Sequence, residues 1–206
     1  MEDLRALSKL QSQIAGITLA GLKKSVAGTD ELRSTCGQLL INALNTFAAA
    51  VQTLRAGYLL APGVLCRNVV ETLAVIAHLI ENPKDLVAFR AGKFSSSKAV
   101  TAANRMIPVF GELYGNLSSQ FAHIGALHHS IQPLKPFQTL NEPLRLNLSI
   151  LRVSLWVAYA TAELLFFDTV AKPRYWKNLG KGAFMYDPSE TERAWQKAFL
   201  QDALAD

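Results

Sequence analysis

The sequence predicts an all-α protein, a mostly antiparallel bundle of four long helices with short helices between them. Three observations carry that prediction. Apolar residues recur at three- and four-residue intervals along nearly the whole chain, and no segment sustains strand alternation. Half of the 206 residues are hydrophobic and only 18% are charged, enough for one substantial core in a single domain. Breakers punctuate the chain at spacings that leave long helices joined by short links, which makes neighbours antiparallel.

The first helix is expected from about Asp3 to Val26, with Leu4, Leu7, Leu10, Ile14, Ile17 and Gly21 on one face. Ala27-Gly28-Thr29-Asp30 ends it and offers Thr29 or Asp30 as the next N-cap. The second runs from about Glu31 to Leu60, with Leu32, Leu39, Leu40, Ala43, Leu44, Phe47, Val51 and Leu54 toward the core. Pro62 suits the start of a third helix from Val64 to Glu81, which Asn82-Pro83 terminates. Lys84–Gly92 and Lys98–Met106 read as short helices on either side of a serine hinge. Pro108 restarts a helix to about His123, and Gly125–Asn141 is the longest loop. A helix from about Glu142 to Val170 follows. Its greasy stretch Val153–Phe167 contains Glu163 and falls short of the roughly 20 residues of a membrane span, so it reads as a central bundle helix. Residues 171–206 read as a basic connector followed by an amphipathic helix from Glu190 to Leu204, capped by Ser189.

The N-terminus lacks a basic segment running into an apolar one, so no secretory signal is read there and a cytoplasmic protein is the expectation. Cys36 and Cys66 fall in apolar helical patterns and read as reduced core thiols. The net charge of +5 permits an acidic partner without demanding one. The histidine spacings fit neither a metalloprotease nor a zinc finger, and no phosphate loop or nucleophile elbow is present, so no metal and no cofactor are expected.

The most informative stretch is Cys66–His78. At 100° per residue Arg67, Glu71 and His78 share one narrow stripe on a helix that is apolar in most other directions. A lone charge in a core is costly, so the stripe needs company. Three readings stand: a solvated helix face, a structural network that holds helices in register, or a ligand or catalytic pocket. Later in the chain Ser119 and His123 lie four apart, one turn on a helix, and Tyr114 precedes them. Arg67, Glu71 and His123 are the candidate catalytic residues; His78, Tyr114 and Ser119 are the candidate ligand contacts. Lys172, Arg174, Lys177 and Lys181, interleaved with Tyr175 and Trp176, form the densest basic patch and could hold a nucleic-acid backbone and stack on a base.

Two pieces together resemble a known group. Leu54-Arg55-Ala56-Gly57 is followed by Leu65-Cys66-Arg67-Asn68-Val69-Val70-Glu71-Thr72-Leu73, and later come Tyr114, Leu117-Ser118-Ser119 and His123. This pattern is similar to bacterial all-helical proteins marked by an R-x-x-x-E helix and a later LS-x-x-x-H-like helix, themselves distantly similar to HEPN-type bundles. The resemblance implies that Arg67, Glu71 and His123 approach one another between helices, and that the chain forms a homodimer. HEPN ribonucleases carry an arginine and a histidine close together on one helix; here the first histidine after Arg67 is His78, eleven residues on. Two functional expectations follow: a binding or interaction module with a protein partner, or a metal-independent ribonuclease with RNA as partner. A pocket for a small acidic ligand around Arg67 is a third.

Overall fold

The computed structural model describes residues 2–107, 109–125, 128–129, 134–180 and 182–200. Eight α-helices lie among them, and four are long: α1 (Glu2–Ala27), α2 (Glu31–Arg55), α3 (Ala61–Glu81) and α7 (Glu142–Leu165). The all-α expectation holds for the body of the molecule. Between α3 and α7 come α4 (Leu86–Arg90), α5 (Ser96–Met106) and α6 (Val109–Leu117); α8 (Glu190–Leu200) closes the described chain.

Local chemistry sets the helix ends. Asp30, not Thr29, caps α2 by accepting the Arg33 N–H at 2.9 Å. Thr29 instead ends α1 with φ 55°, the left-handed conformation usual for a residue just past a helix. The α2 helix stops at Arg55, five residues before the expected Leu60, because Gly57 adopts φ 94°. There the Tyr58 N–H returns to the Thr53 carbonyl at 3.0 Å. A Cβ on Gly57 would also lie 2.2 Å from the Lys135 carbonyl oxygen, so glycine is required on two counts. Asn141 caps α7, and Ser189 caps α8 as expected.

The core follows the amphipathic faces. α2 packs between α1 and α3, and α7 lies against all three. Gln11 on α1 donates to the Leu44 carbonyl on α2, positions at similar distances from the intervening turn, so the two helices run antiparallel. Every residue of α7 from Ile150 to Leu165 is buried, which makes it the axis of the bundle. The Phe166 ring fills the space over Gly21 on α1, where a Cβ would sit 2.1 Å from it. α3 and α7 are both long and apolar enough to cross a membrane, yet 89% of the most apolar window of α7 is buried within the bundle. The corresponding window of α3 is 56% buried.

One element was not expected. The segment read as a basic connector contains a hairpin of strands β1 (Trp176–Gly180) and β2 (Ala183–Tyr186), paired antiparallel with Trp176 opposite Tyr186. Most of its residues are exposed: β1 shows no alternation beyond buried Trp176, and β2 alternates exposed and partly buried residues over only four positions, too short a run to stand out in the sequence. Two smaller differences concern helix ends. α7 stops at Leu165 and a 3-10 turn (Phe167–Thr169) follows, where a single helix to Val170 was expected. The helix expected to reach His123 is α-helical only to Leu117 and ends in a π-turn over Ser118–Ala122. Pro108, Lys181 and the expected end of the last helix beyond residue 200 lie outside the described residues.

Candidate functional site

Arg67 sits in the first half of α3, where the wheel places it four residues before Glu71. Its guanidinium makes three hydrogen bonds in three directions. Nη1 donates to Glu71 Oε2 at 3.0 Å, Nη2 to the Tyr114 hydroxyl at 2.7 Å and Nε to Ser118 Oγ at 3.1 Å. The guanidinium also lies over the Tyr114 ring, 4.9 Å from its centroid. Glu71 in turn accepts from the Ser96 hydroxyl at the start of α5. One charged pair thus ties α3 to α5, α6 and the π-turn. The side chains of Arg67 and Glu71 are 29% and 23% exposed, so the knot is half-buried at the bundle edge.

The other candidate residues, apart from Tyr114, go elsewhere. His78 is directed through Nε2 to Asp85 in the 3-10 turn Pro83–Asp85, at 2.8 Å, and its ring packs 5.1 Å from that of Phe94. Neither contact reaches Arg67. Ser119 is exposed and donates to the Asn116 carbonyl of its own helix; Ser118 is the serine that meets Arg67. The reason is helical spacing. Ser118 is four residues after Tyr114 and shares its face, whereas the pairing of Ser119 with His123 required a regular helix through His123. His123 is exposed with extended backbone, and its N–H returns to the Ser118 carbonyl at 2.9 Å. Its ring has no hydrogen-bond partner among the described residues.

The expected nucleic-acid patch is corrected at its aromatic part. Tyr175 is fully buried and Trp176 nearly so, so neither offers a ring face to a base. Both belong to a second knot, which sequence reasoning passed over. The carboxylate of Glu163, wholly buried on α7, accepts three consecutive backbone N–H groups: Arg174 at 2.9 Å, Tyr175 at 2.8 Å and Trp176 at 3.0 Å. The Arg174 guanidinium donates to Glu192 on α8 through Nε at 2.8 Å and Nη2 at 2.6 Å. It stacks on Trp195, 4.3 Å from the ring centroid, and on Tyr159 and Tyr175. Burial pushes the Glu163 carboxyl above its usual range, against the opposing pull of the three N–H groups and of Arg174. Burial likewise raises the Tyr186 hydroxyl to about 12. The signal for this knot was present in the sequence: a lone acid inside the greasiest helix requires donors from somewhere. Lys172 and Lys177 remain exposed.

Both cysteines are buried and free, and burial raises each thiol to about 12, which keeps them protonated and unreactive at neutral pH. Among the described residues no three histidine, cysteine, aspartate or glutamate side chains gather to hold a metal ion.

Neither of two clefts in the structure has Arg67, Glu71, Tyr114 or Ser118 in its lining. They are about 430 Å³ each and flank the N-terminal half of α7. One runs between α6 and α7 over Leu117, Phe121, Ile150 and Val153, with Glu142 and Arg145 both in its lining. The other lies between α1, the end of α2, residues 137–140 and α7. No protein-family signature, curated protein or solved structure matches the chain.

Proposed function

We propose that this protein is a non-catalytic binding module, acting as a homodimer in the cytoplasm, with the clefts beside α7 as its recognition surfaces. One observation carries the reading. The hydrogen bonds of Arg67 all run to partners within the molecule, so the charged stripe acts as a brace among α3, α5 and α6. An arginine held this way has little left to offer a substrate phosphate. The buried, protonated thiols suit a reducing compartment.

A second reading has one observation in its favour. His123 is tied through its N–H to the residue whose hydroxyl holds Arg67, so the histidine and the arginine are linked through Ser118. A ribonuclease built there would use His123 as general acid or base on a ribose 2′-hydroxyl, Arg67 to stabilise the phosphorane and Glu71 to orient Arg67.

The deciding experiment incubates the purified protein with a mixed RNA pool, wild type beside His123→Ala. No cleavage by either protein is the expected result. Cleavage by the wild type that His123→Ala abolishes overturns the binding-module reading. Sedimentation of the same preparation is expected to give twice the chain mass of 22.5 kDa.

A further inference from the structure

We infer that the cleft between α1, α2 and α7 binds an apolar monocarboxylate, a ligand of the fatty-acid class. This rests on the binding-module reading and names the chemistry of one of its surfaces. The floor is aliphatic and aromatic: Leu4 of α1, Leu54 of α2, Phe137, and Leu144 and Leu148 of α7 all line it. Leu54 and Leu148 are themselves buried, so the cleft reaches down to the core. Its volume, about 430 Å³, suits a single small ligand.

The charge pattern selects the head group. Arg55, in the last turn of α2, is the one charged residue of the lining, and no acid stands beside it there. Among the described residues Arg55 has no ion-pair partner. Arg5 on α1, outside the lining, is likewise exposed without an ion pair, whereas Arg90 pairs with Glu31, Arg105 with Glu81 and Arg193 with Asp187. Gln138 and Thr139 add neutral donors to the same lining. An alkyl chain laid along the leucines would leave its carboxylate at Arg55, where the planar guanidinium can donate two parallel hydrogen bonds to it. The cleft between α6 and α7 lacks this asymmetry, because Glu142 and Arg145 both line it.

The test is calorimetric titration of the full chain with decanoate, decanol, decyltrimethylammonium and acetate, each below its micellar concentration. Decanoate is expected to bind one to one, and the other three at least about tenfold more weakly: decanol and decyltrimethylammonium because each loses the charge-assisted pair, acetate because it loses the buried alkyl chain. Arg55→Gln is expected to weaken decanoate by about tenfold and to leave decanol unchanged. Leu140→Asp changes an exposed residue of the lining and should also weaken decanoate, by setting a like charge in an otherwise apolar stretch of the cleft. Equal binding of decanoate by wild type and Arg55→Gln, equal binding of the cationic and anionic amphiphiles, or no binding at all would overturn the inference. The RNA assay keeps the two ideas separate. A protein that ignores decanoate and leaves RNA intact loses only this ligand, whereas RNA cleavage removes the binding-module reading whatever decanoate does.

Discussion

Two of the arginine–carboxylate knots among the described residues are built on opposite plans. Arg67 and Glu71 are neighbours on one helix turn, half-exposed, and their partners are side chains from α5, α6 and the π-turn. Glu163 and Arg174 are eleven residues apart, and the carboxylate is wholly buried and held by backbone N–H groups rather than by the guanidinium. The first knot adjusts the packing of helices that would form anyway. The second holds a hairpin that has almost no core of its own. The difference follows from what each carboxylate solvates. Glu71 satisfies side chains that could otherwise turn to water, whereas Glu163 satisfies main-chain donors that have nowhere else to go.

The largest expected effect therefore belongs to Glu163. Glu163→Leu leaves three main-chain donors without an acceptor and should lower unfolding stability by about 3 kcal/mol or more, read from denaturant midpoints. Glu163→Gln sharpens the point. Its one oxygen can keep the place of Oε1, which takes all three N–H bonds, so its loss should be much smaller. Equal losses in the two variants would show that the cradle of N–H groups is not what matters.

The Arg67 knot should respond less and in a coupled way. Arg67→Met or Glu71→Leu alone should cost about 1–2 kcal/mol, because each strands the other charge at a half-buried site. The double variant should cost less than the two single losses added together. Additive losses would mean that the pair does not act as a unit.

The smallest effects distinguish the carboxylates by pH. Asp168, in the 3-10 turn after α7, is bound by Arg33 and Lys24, and these hold its carboxyl well below the usual range. Its contribution is present above the unfolded value of about 4 and is lost as pH falls toward the folded one. For a pair this exposed it should stay under about 1 kcal/mol. Glu163 has the opposite sign. Its folded value is raised, so its contribution is full below about 4.3 and declines as pH rises through the folded value. Between pH 3 and pH 7 the deficit of Asp168→Asn should grow while that of Glu163→Gln shrinks. Parallel trends in thermal melts would contradict the contrast drawn here.

How far each knot could be read in advance depended on where its members stand in the chain. Arg67 and Glu71 were visible because helical geometry alone puts residues four apart on one face. Tyr114 was named as a contact of the same site, but the serine was displaced by one position. Ser119 was paired with His123 on the assumption of a helix that in fact gives way to a π-turn at Ser118. His78 lay on the right stripe at the wrong end of it, where Asp85 and Phe94 reach it first. The Arg174 segment looked like a nucleic-acid surface because composition reveals cations and rings but not which way the backbone folds them.

The sequence by itself determined the four long helices, the break around Asp30 that caps one of them, most of their core faces, and the pairing of Arg67 with Glu71. These depend on contacts within a few residues, and local periodicity and capping chemistry specify them. Tertiary structure alone decided that Glu163 would meet the N–H groups of residues 174–176, that Tyr175 and Trp176 would be buried, and that Arg55 would line a cleft of leucines. Those arrangements bring together chain segments far apart in sequence. Their stability comes from desolvating groups together, and that is settled only when the helices pack.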